Sequence, residues 1–266
     1  MPAADGRIKA AENEARILRA LHRFGWLTAR NAGALLWTPW ARHPAPAPDL
    51  RPAKPSASGL RMAQRTFRRL VERGQVLRAP APGGHVIYAL AEAGARRLQE
   101  IGVPAGTGKD LIRSFSAAHF QHRHTANNVA IRGLLDGFRV STEREIAQDR
   151  WLGGAEGIAG KKPDVLLRSG DKIFFAEIER SRKNARDYGK LLAWLDCVRT
   201  DVRAPTGPKL LGPNLCWAKI IFVGSTAFQT KLLKDLAARG WPQADLDALL
   251  LFDTKLLYVG EGTFFV

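Results

Sequence analysis

Apolar positions in the first hundred residues recur at helical spacing and then at strand spacing. Ile17, Leu18, Leu21 and Phe24 share one stripe and Gly25 follows them, which predicts a helix from Lys9 to Phe24. Thr28 stands at an N-cap position for a short second helix ending at Leu36. Six prolines between Thr38 and Ser58 predict a loop or a disordered insertion. A third helix is predicted from Ser58 or Gly59 to Arg73, with Leu60, Ala63, Phe67, Leu70 and Val71 on its apolar stripe. Gly74 ends it. Two short strands, Gln75–Arg78 and His85–Leu90, follow with Pro80–Gly84 as their turn, and Ala91–Ile101 reads as a last amphipathic helix.

The second half alternates differently. A helix is predicted over Phe115–Leu135, then strands over Phe138–Ala147, Val165–Arg168 and Lys172–Glu179. A helix over Asn184–Val198 has Tyr188, Leu191, Leu195 and Val198 as its buried stripe. It leads to a strand at Ala218–Val223, a helix at Ala227–Arg239, and late strands near Leu249–Phe252 and Leu256–Val259. This is an α/β (α+β) pattern with a mixed sheet. The domain boundaries expected are 1–101, with an insertion at 38–58, a linker at 102–113, and a second domain at 114–266. Phe264-Phe265, at the end of an expected edge hairpin, suggests docking on the core or on a second copy of the chain.

The helix–helix–helix–strand–strand–helix order of the first domain is that of a winged helix-turn-helix, and charge gives this meaning. Residues 1–110 carry 18 basic and 8 acidic side chains, within a chain whose formal net charge is +16. Such a surface implies an anionic partner. The third helix turns Arg61, Arg65, Arg68, Arg69 and Arg73 away from its apolar stripe, as a helix entering a major groove would, and His85 opens the strand after the wing turn. These six are the candidate DNA-binding residues. If about five phosphates are neutralised, the log–log salt slope of binding is about −4 to −5. Gly102–Lys109 is no phosphate loop, because Asp110 follows Lys109 where Ser or Thr is needed.

Candidate chemistry lies in the second domain. In Lys172–Glu179, strand alternation puts Glu177 and Glu179 on one face, and Phe174, Ala176 and Ile178 on the other. Asp164 opens the preceding strand, so adjacent strands bring it to Glu177, a pairing suited to a hard cation such as Mg²⁺. Glu143 and Glu145, read as same-face strand residues, offer a further ligand.

Glu143, Lys162-Pro163-Asp164 and Glu177-Ile178-Glu179 together resemble the core of the PD-(D/E)XK nucleases, in the order helix, three strands, helix, strand. That resemblance implies a restriction-endonuclease-like domain in which Asp164 and Glu177 bind Mg²⁺, or Mn²⁺ as a substitute, and activate water. The chain from about residue 15 to 195 also resembles the replication–relaxation family of plasmid and mobile-element proteins. This rests on Arg68–Gly74, Val86–Leu90, Gly94, His119–Asn128, Ser141-Thr142-Glu143, Pro163-Asp164, Glu177–Ser181 and Lys190-Leu191. It implies a role in replication, relaxation or mobilisation, beside duplex DNA and relaxosome or replication proteins. One departure matters: Glu179 stands where the nuclease pattern has its catalytic lysine. Three alternatives follow. Glu179 binds a second metal or positions water, Lys183 or Lys190 takes the lysine's place, or the domain serves DNA binding without cleavage.

Two rival functions stay open: a Mg²⁺-dependent endonuclease of restriction or defence type, and a transcriptional regulator with a ligand-sensing second domain. His119, His122 and His124 do not share one helical face, so zinc is disfavoured; phosphate contact, helix capping, or for His124 a reach to the acids is expected. Arg180, Arg182, Lys183 and Arg186 either neutralise the acids or guide a DNA backbone. Trp26, Trp194 and Trp217 are expected in the core, and Trp37, Trp40 and Trp151 in structural roles beside loops. Cys197 and Cys216 are too few for a disulfide framework and are expected as core packing. No signal peptide or membrane span is expected. The expected setting is the bacterial cytoplasm, at nucleoid or plasmid, with homodimerisation an open possibility.

Overall fold

A computed structural model describes residues 6–180 and 184–256. Two units emerge from its packing: residues 6–41 with 52–135, and residues 42–51 with 136–256. The architecture is mixed α/β, and the second unit holds a mixed sheet. Among the described residues no helix is long and apolar enough to cross a membrane.

The first unit runs α1 (Gly6–Phe24), β1 (Trp26–Thr28), α2 (Ala29–Trp37), α3 (Ala57–Glu72), β2 (Val76–Ala81), β3 (His85–Leu90), α4 (Glu92–Glu100), α5 (Lys109–Arg113) and α6 (Ala117–Leu135). Thr28 caps α2 as the sequence implies, in a reciprocal box with Asn31. Ser56 caps α3, two residues before the expected start. Trp26–Thr28 forms a strand that periodicity does not reveal, giving an antiparallel sheet of order β1-β3-β2. Pro80 and Ala81 extend β2, so the turn shortens to Pro82–Gly84. Ile17, Leu18, Leu21, Phe67 and Leu70 are buried, and α1 packs on α3. The expected linker contains α5, whose Leu111 and Ile112 join Phe115 and Phe120 over the outer face of the sheet at Trp26, Ile87 and Ala89. The helix expected to open the second domain, α6, therefore packs with the first unit. Asn127 Nδ2 donates to the Trp26 carbonyl (3.0 Å) and Asn31 Nδ2 donates to Asn128 Oδ1 (3.1 Å), both inside that unit.

The second unit runs β4 (Arg139–Ser141), α7 (Glu143–Ala147), β5 (Val165–Ser169), β6 (Lys172–Glu179), α8 (Ala185–Arg203), β7 (Cys216–Gly224), α9 (Thr226–Ala238), α10 (Gln243–Leu249) and β8 (Leu250–Asp253). Its sheet has the order β4-β5-β6-β7-β8, antiparallel through β6 and parallel from β6 to β8. Ile173 and Phe175 turn one face toward Leu191, Trp194, Leu195 and Val198 of α8 and Leu232 and Leu236 of α9. Glu177 and Glu179 share that face by strand alternation. The Pro-rich segment is a loop without regular structure, ordered in part by backbone bonding of Ala45 to Asp136 (3.2 Å).

Two expectations are corrected. The strand predicted over Phe138–Ala147 stops at Ser141, because Thr142 caps a helix instead. The Thr142 amide donates to Glu145 Oε2 (2.9 Å) and the Glu145 amide donates to Thr142 Oγ1 (3.3 Å). Such a box satisfies two orphan helix amides and outweighs the weak strand alternation. Cys197 and Cys216 are exposed rather than in the core. Of the late strands, β8 forms, while Leu256 lies outside any strand; 257–266, with Phe264-Phe265, falls outside the described residues.

Candidate functional site

On α3 the sequence puts Arg61, Arg65 and Arg68 about one helical turn apart, and all three are exposed. Among the described residues none of the three makes an ion pair. The hairpin continues this surface. Tyr88 of β3 stacks on Phe67 of α3, rings 4.0 Å apart, and Arg78 lies opposite Tyr88 in register on β2. Burial raises the Tyr88 pKa, while Arg78 and Arg68 both pull it down, so the two guanidiniums sit near one phenol. Arg78 is exposed and is not among the residues that sequence reasoning singles out; its register opposite Tyr88 is the available signal.

Arg69 and Arg73 occupy a different side of α3. Both meet Glu14 of α1, a carboxylate only 3% exposed. Arg73 Nη1 donates to Glu14 Oε2 (2.9 Å), Arg97 Nη1 of α4 donates to the same oxygen (3.0 Å), and Arg69 Nε lies 3.3 Å from Glu14 Oε1. A buried carboxylate without such partners would carry a heavy desolvation cost. With Arg97, these two arginines tie α1, α3 and α4 together through Glu14. They are therefore separate from the exposed row.

His85 also faces away from α3. Strand alternation sets it with Ile87 and Ala89, against α6, where its ring is 5.5 Å from that of His124 and 5.7 Å from that of Phe120. His124 stacks on Phe120 (5.3 Å), which in turn stacks on Trp26 (5.5 Å). Burial, with His85 second, lowers the His124 pKa to about 4, and burial with Arg30 lowers that of His85. Both imidazoles are neutral near pH 7, which suits an aromatic stack better than phosphate contact.

The carboxylates lie where β5 begins and β6 ends. Val165 pairs with Ala176, so Asp164 is the next residue against Glu177. The Asp164 amide donates to the Ala176 carbonyl (3.0 Å), and Asp164 Oδ2 accepts from the Ile178 amide (2.7 Å). Glu177 is 5% exposed and Glu179 6%. Lys161, which no sequence motif marks, donates from Nζ to Glu177 Oε2 at 2.7 Å. Glu177 Oε1 is buried with no hydrogen-bond partner among the described residues. Burial pushes the Glu177 pKa up, the adjacent Lys161 ammonium pulls it back down, and Asp164 and Glu179 add to the rise.

A tight turn presents Lys161. Ile158 and Lys161 exchange backbone hydrogen bonds (2.9 and 3.2 Å), and Ala159 and Gly160 between them have φ of +50° and +77°. Two central residues at positive φ define the primed turn that closes a short hairpin. Trp194 Nε1 holds the turn by donating to the Ile158 carbonyl (2.8 Å), and the Lys161 ammonium lies 5.8 Å from the Trp194 ring centroid. A Cβ on Gly157 would come within 2.7 Å of the Lys161 carbonyl oxygen.

Glu143 and Glu145 belong to the first turn of α7, and Lys190 is an exposed residue of α8 beside Asp187 (3.6 Å). Lys183 and Arg182 lie outside the described residues. Among the described residues no group of three or more His, Cys, Asp or Glu side chains could hold a metal ion. As the side chains stand, the Lys161 ammonium takes one Glu177 oxygen, and the Ile178 amide donates to Asp164 Oδ2. In comparisons with known proteins, no family model, curated protein or solved structure matches this chain.

Proposed function

We propose that this chain is a duplex-DNA-binding protein of a plasmid or mobile element, of the replication–relaxation kind. Its first unit acts as a winged helix-turn-helix, and its second carries a nuclease-like core. The observation that carries the DNA reading is the exposed row Arg61, Arg65 and Arg68, extended by Arg78 on the adjoining hairpin. A helix face of unpaired guanidiniums beside a two-stranded wing suits phosphate and groove contact. The order β4, β5, β6, α8, β7, with Asp164 at the start of β5 beside Glu177 of β6, supports the PD-(D/E)XK likeness of the second. Relaxosome or replication proteins and a second copy of the chain are its proposed partners.

The neighbouring strand positions of Asp164 and Glu177 also favour the rival, a Mg²⁺-dependent endonuclease. One assay separates the two. Full-length protein is titrated onto supercoiled plasmid, with binding read by gel shift and nicking by topology, in Mg²⁺ and in Mn²⁺. Binding without nicking is expected. Nicking that disappears in both Asp164→Ala and Glu177→Ala establishes the enzyme instead, and absence of any shift removes both readings.

A further inference from the structure

The pocket at the end of β6 raises a specific question: what compensates a carboxylate buried to 5% exposure with two more acids close by? A buried anion is sustained only by a counter-charge or by a proton. In metal-dependent sites a divalent ion supplies that charge. Here the counter-charge belongs to the chain. Lys161 Nζ lies 2.7 Å from Glu177 Oε2, with the lysine side chain 20% exposed and the glutamate side chain 7%.

Nothing about this contact depends on a long side chain wandering in from solvent. Lys161 is the last residue of a turn with two positive-φ positions, one of them the non-glycine Ala159. Gly157 leaves the space in which the Lys161 backbone sits, and Trp194 anchors the turn through Ile158. Strain of this kind persists where the surrounding structure fixes one arrangement. Glu177 Oε1 is buried and has no hydrogen-bond partner among the described residues, so the Lys161 ammonium is the contact that offsets this carboxylate's charge.

We propose that Lys161 is the resident cation of this pocket, standing in place of a divalent ion, so that the carboxylates are held without metal. The proposal rests on the nuclease-like reading of the second unit, and it explains why a core of that kind carries Glu179 where a lysine is expected: its ammonium enters from the turn before β5. It predicts that metal and lysine compete for one position.

The test uses full-length wild type, Lys161→Met, Lys161→Arg and the double variant Lys161→Met/Glu177→Gln. Thermal unfolding is measured with and without Mn²⁺, and free Mn²⁺ is counted by electron paramagnetic resonance, all without DNA. Wild type and Lys161→Arg are expected to ignore Mn²⁺. Lys161→Met melts lower in metal-free buffer, recovers with Mn²⁺, and binds it about a hundredfold more tightly than wild type, the order expected for removing a cation at contact distance. The double variant has no stranded carboxylate and is expected to fold and to ignore Mn²⁺. Wild type binding Mn²⁺ as tightly as Lys161→Met overturns the proposal, as does a Lys161→Met protein that gains no Mn²⁺ binding. If Lys161→Met is unfolded without metal, folding on Mn²⁺ addition supports the proposal, and staying unfolded while the double variant folds overturns it. Gel shift on the same samples reads DNA binding separately, so failure of one reading is distinguishable from failure of the other.

Discussion

Five arginines of α3 and its C-cap look alike in the sequence, and their separation into two groups is open to measurement. Replacing Arg61, Arg65 and Arg68 by alanine removes three exposed guanidiniums that make no ion pair among the described residues. Each phosphate left without its cation reduces the log–log salt slope by about 0.9, so the triple variant should give up about 2.7 of the wild-type slope. Over a fourfold rise in salt, the affinity of wild type should therefore fall about fortyfold more than that of the variant. Stability should hold within about 0.5 kcal/mol, because these side chains cover no core. Arg69→Ala/Arg73→Ala should do the reverse. These side chains are 37% and 55% exposed, and their distances to buried Glu14 measure 3.3 and 2.9 Å. After discounting for solvent screening, each is worth about 1 kcal/mol, so the double variant should be destabilised by about 2 kcal/mol. Fluorescence anisotropy against salt on a labelled duplex gives the slopes, and urea unfolding followed by circular dichroism gives the stabilities. If the Arg69/Arg73 pair flattens the slope while leaving stability intact, the division between binding face and structural tie is wrong.

Acid should weaken the first unit through His124. Its pKa falls from 6.5 unfolded to about 4 folded, so native stability is fully present above about pH 6.5 and drains away as pH drops toward 4. The shift corresponds to about 3 kcal/mol at full loss, and His124→Leu should flatten this limb of a urea-midpoint-versus-pH curve; an unchanged limb would assign the acid sensitivity elsewhere. Gly94→Ala would drive a Cβ to 2.2 Å from the Gln75 carbonyl oxygen, and it should cost about 3 kcal/mol or more by urea unfolding. Ala159→Gly relieves a residue at φ +50° and should raise stability by about 1 kcal/mol, where a decrease would deny that the turn is strained.

Much of the secondary structure is legible in the sequence because its signals are local. The stripes of α1 and α3, the Thr28 cap, and the whole of β6 from Lys172 to Glu179 follow from side-chain periodicity and short-range hydrogen bonding. Thr142 and Glu145 carry a capping box in plain view, yet the alternation at Glu143 and Glu145 points to a strand; two local signals compete there, and the hydrogen-bonded one prevails. All three carboxylates of the candidate site are legible, because strand alternation fixes which face Glu177 and Glu179 share and a short hairpin brings Asp164 to the same end. Lys161 is not. Its role depends on a two-residue turn and on Trp194, far along the chain on α8, neither of which periodicity encodes.

By itself, then, the sequence determined a basic first half, an arginine-bearing helix, and a strand ending in two acids, all properties of residues near one another in the chain. Tertiary structure alone decided that Arg69 and Arg73 serve Glu14 while Arg61, Arg65 and Arg68 stay exposed, that α6 packs with the first unit, and that a lysine meets Glu177. The reason is physical. Helix and strand periods say which side a residue faces, but the partner waiting on that side is supplied by distant segments whose approach only the packed core fixes.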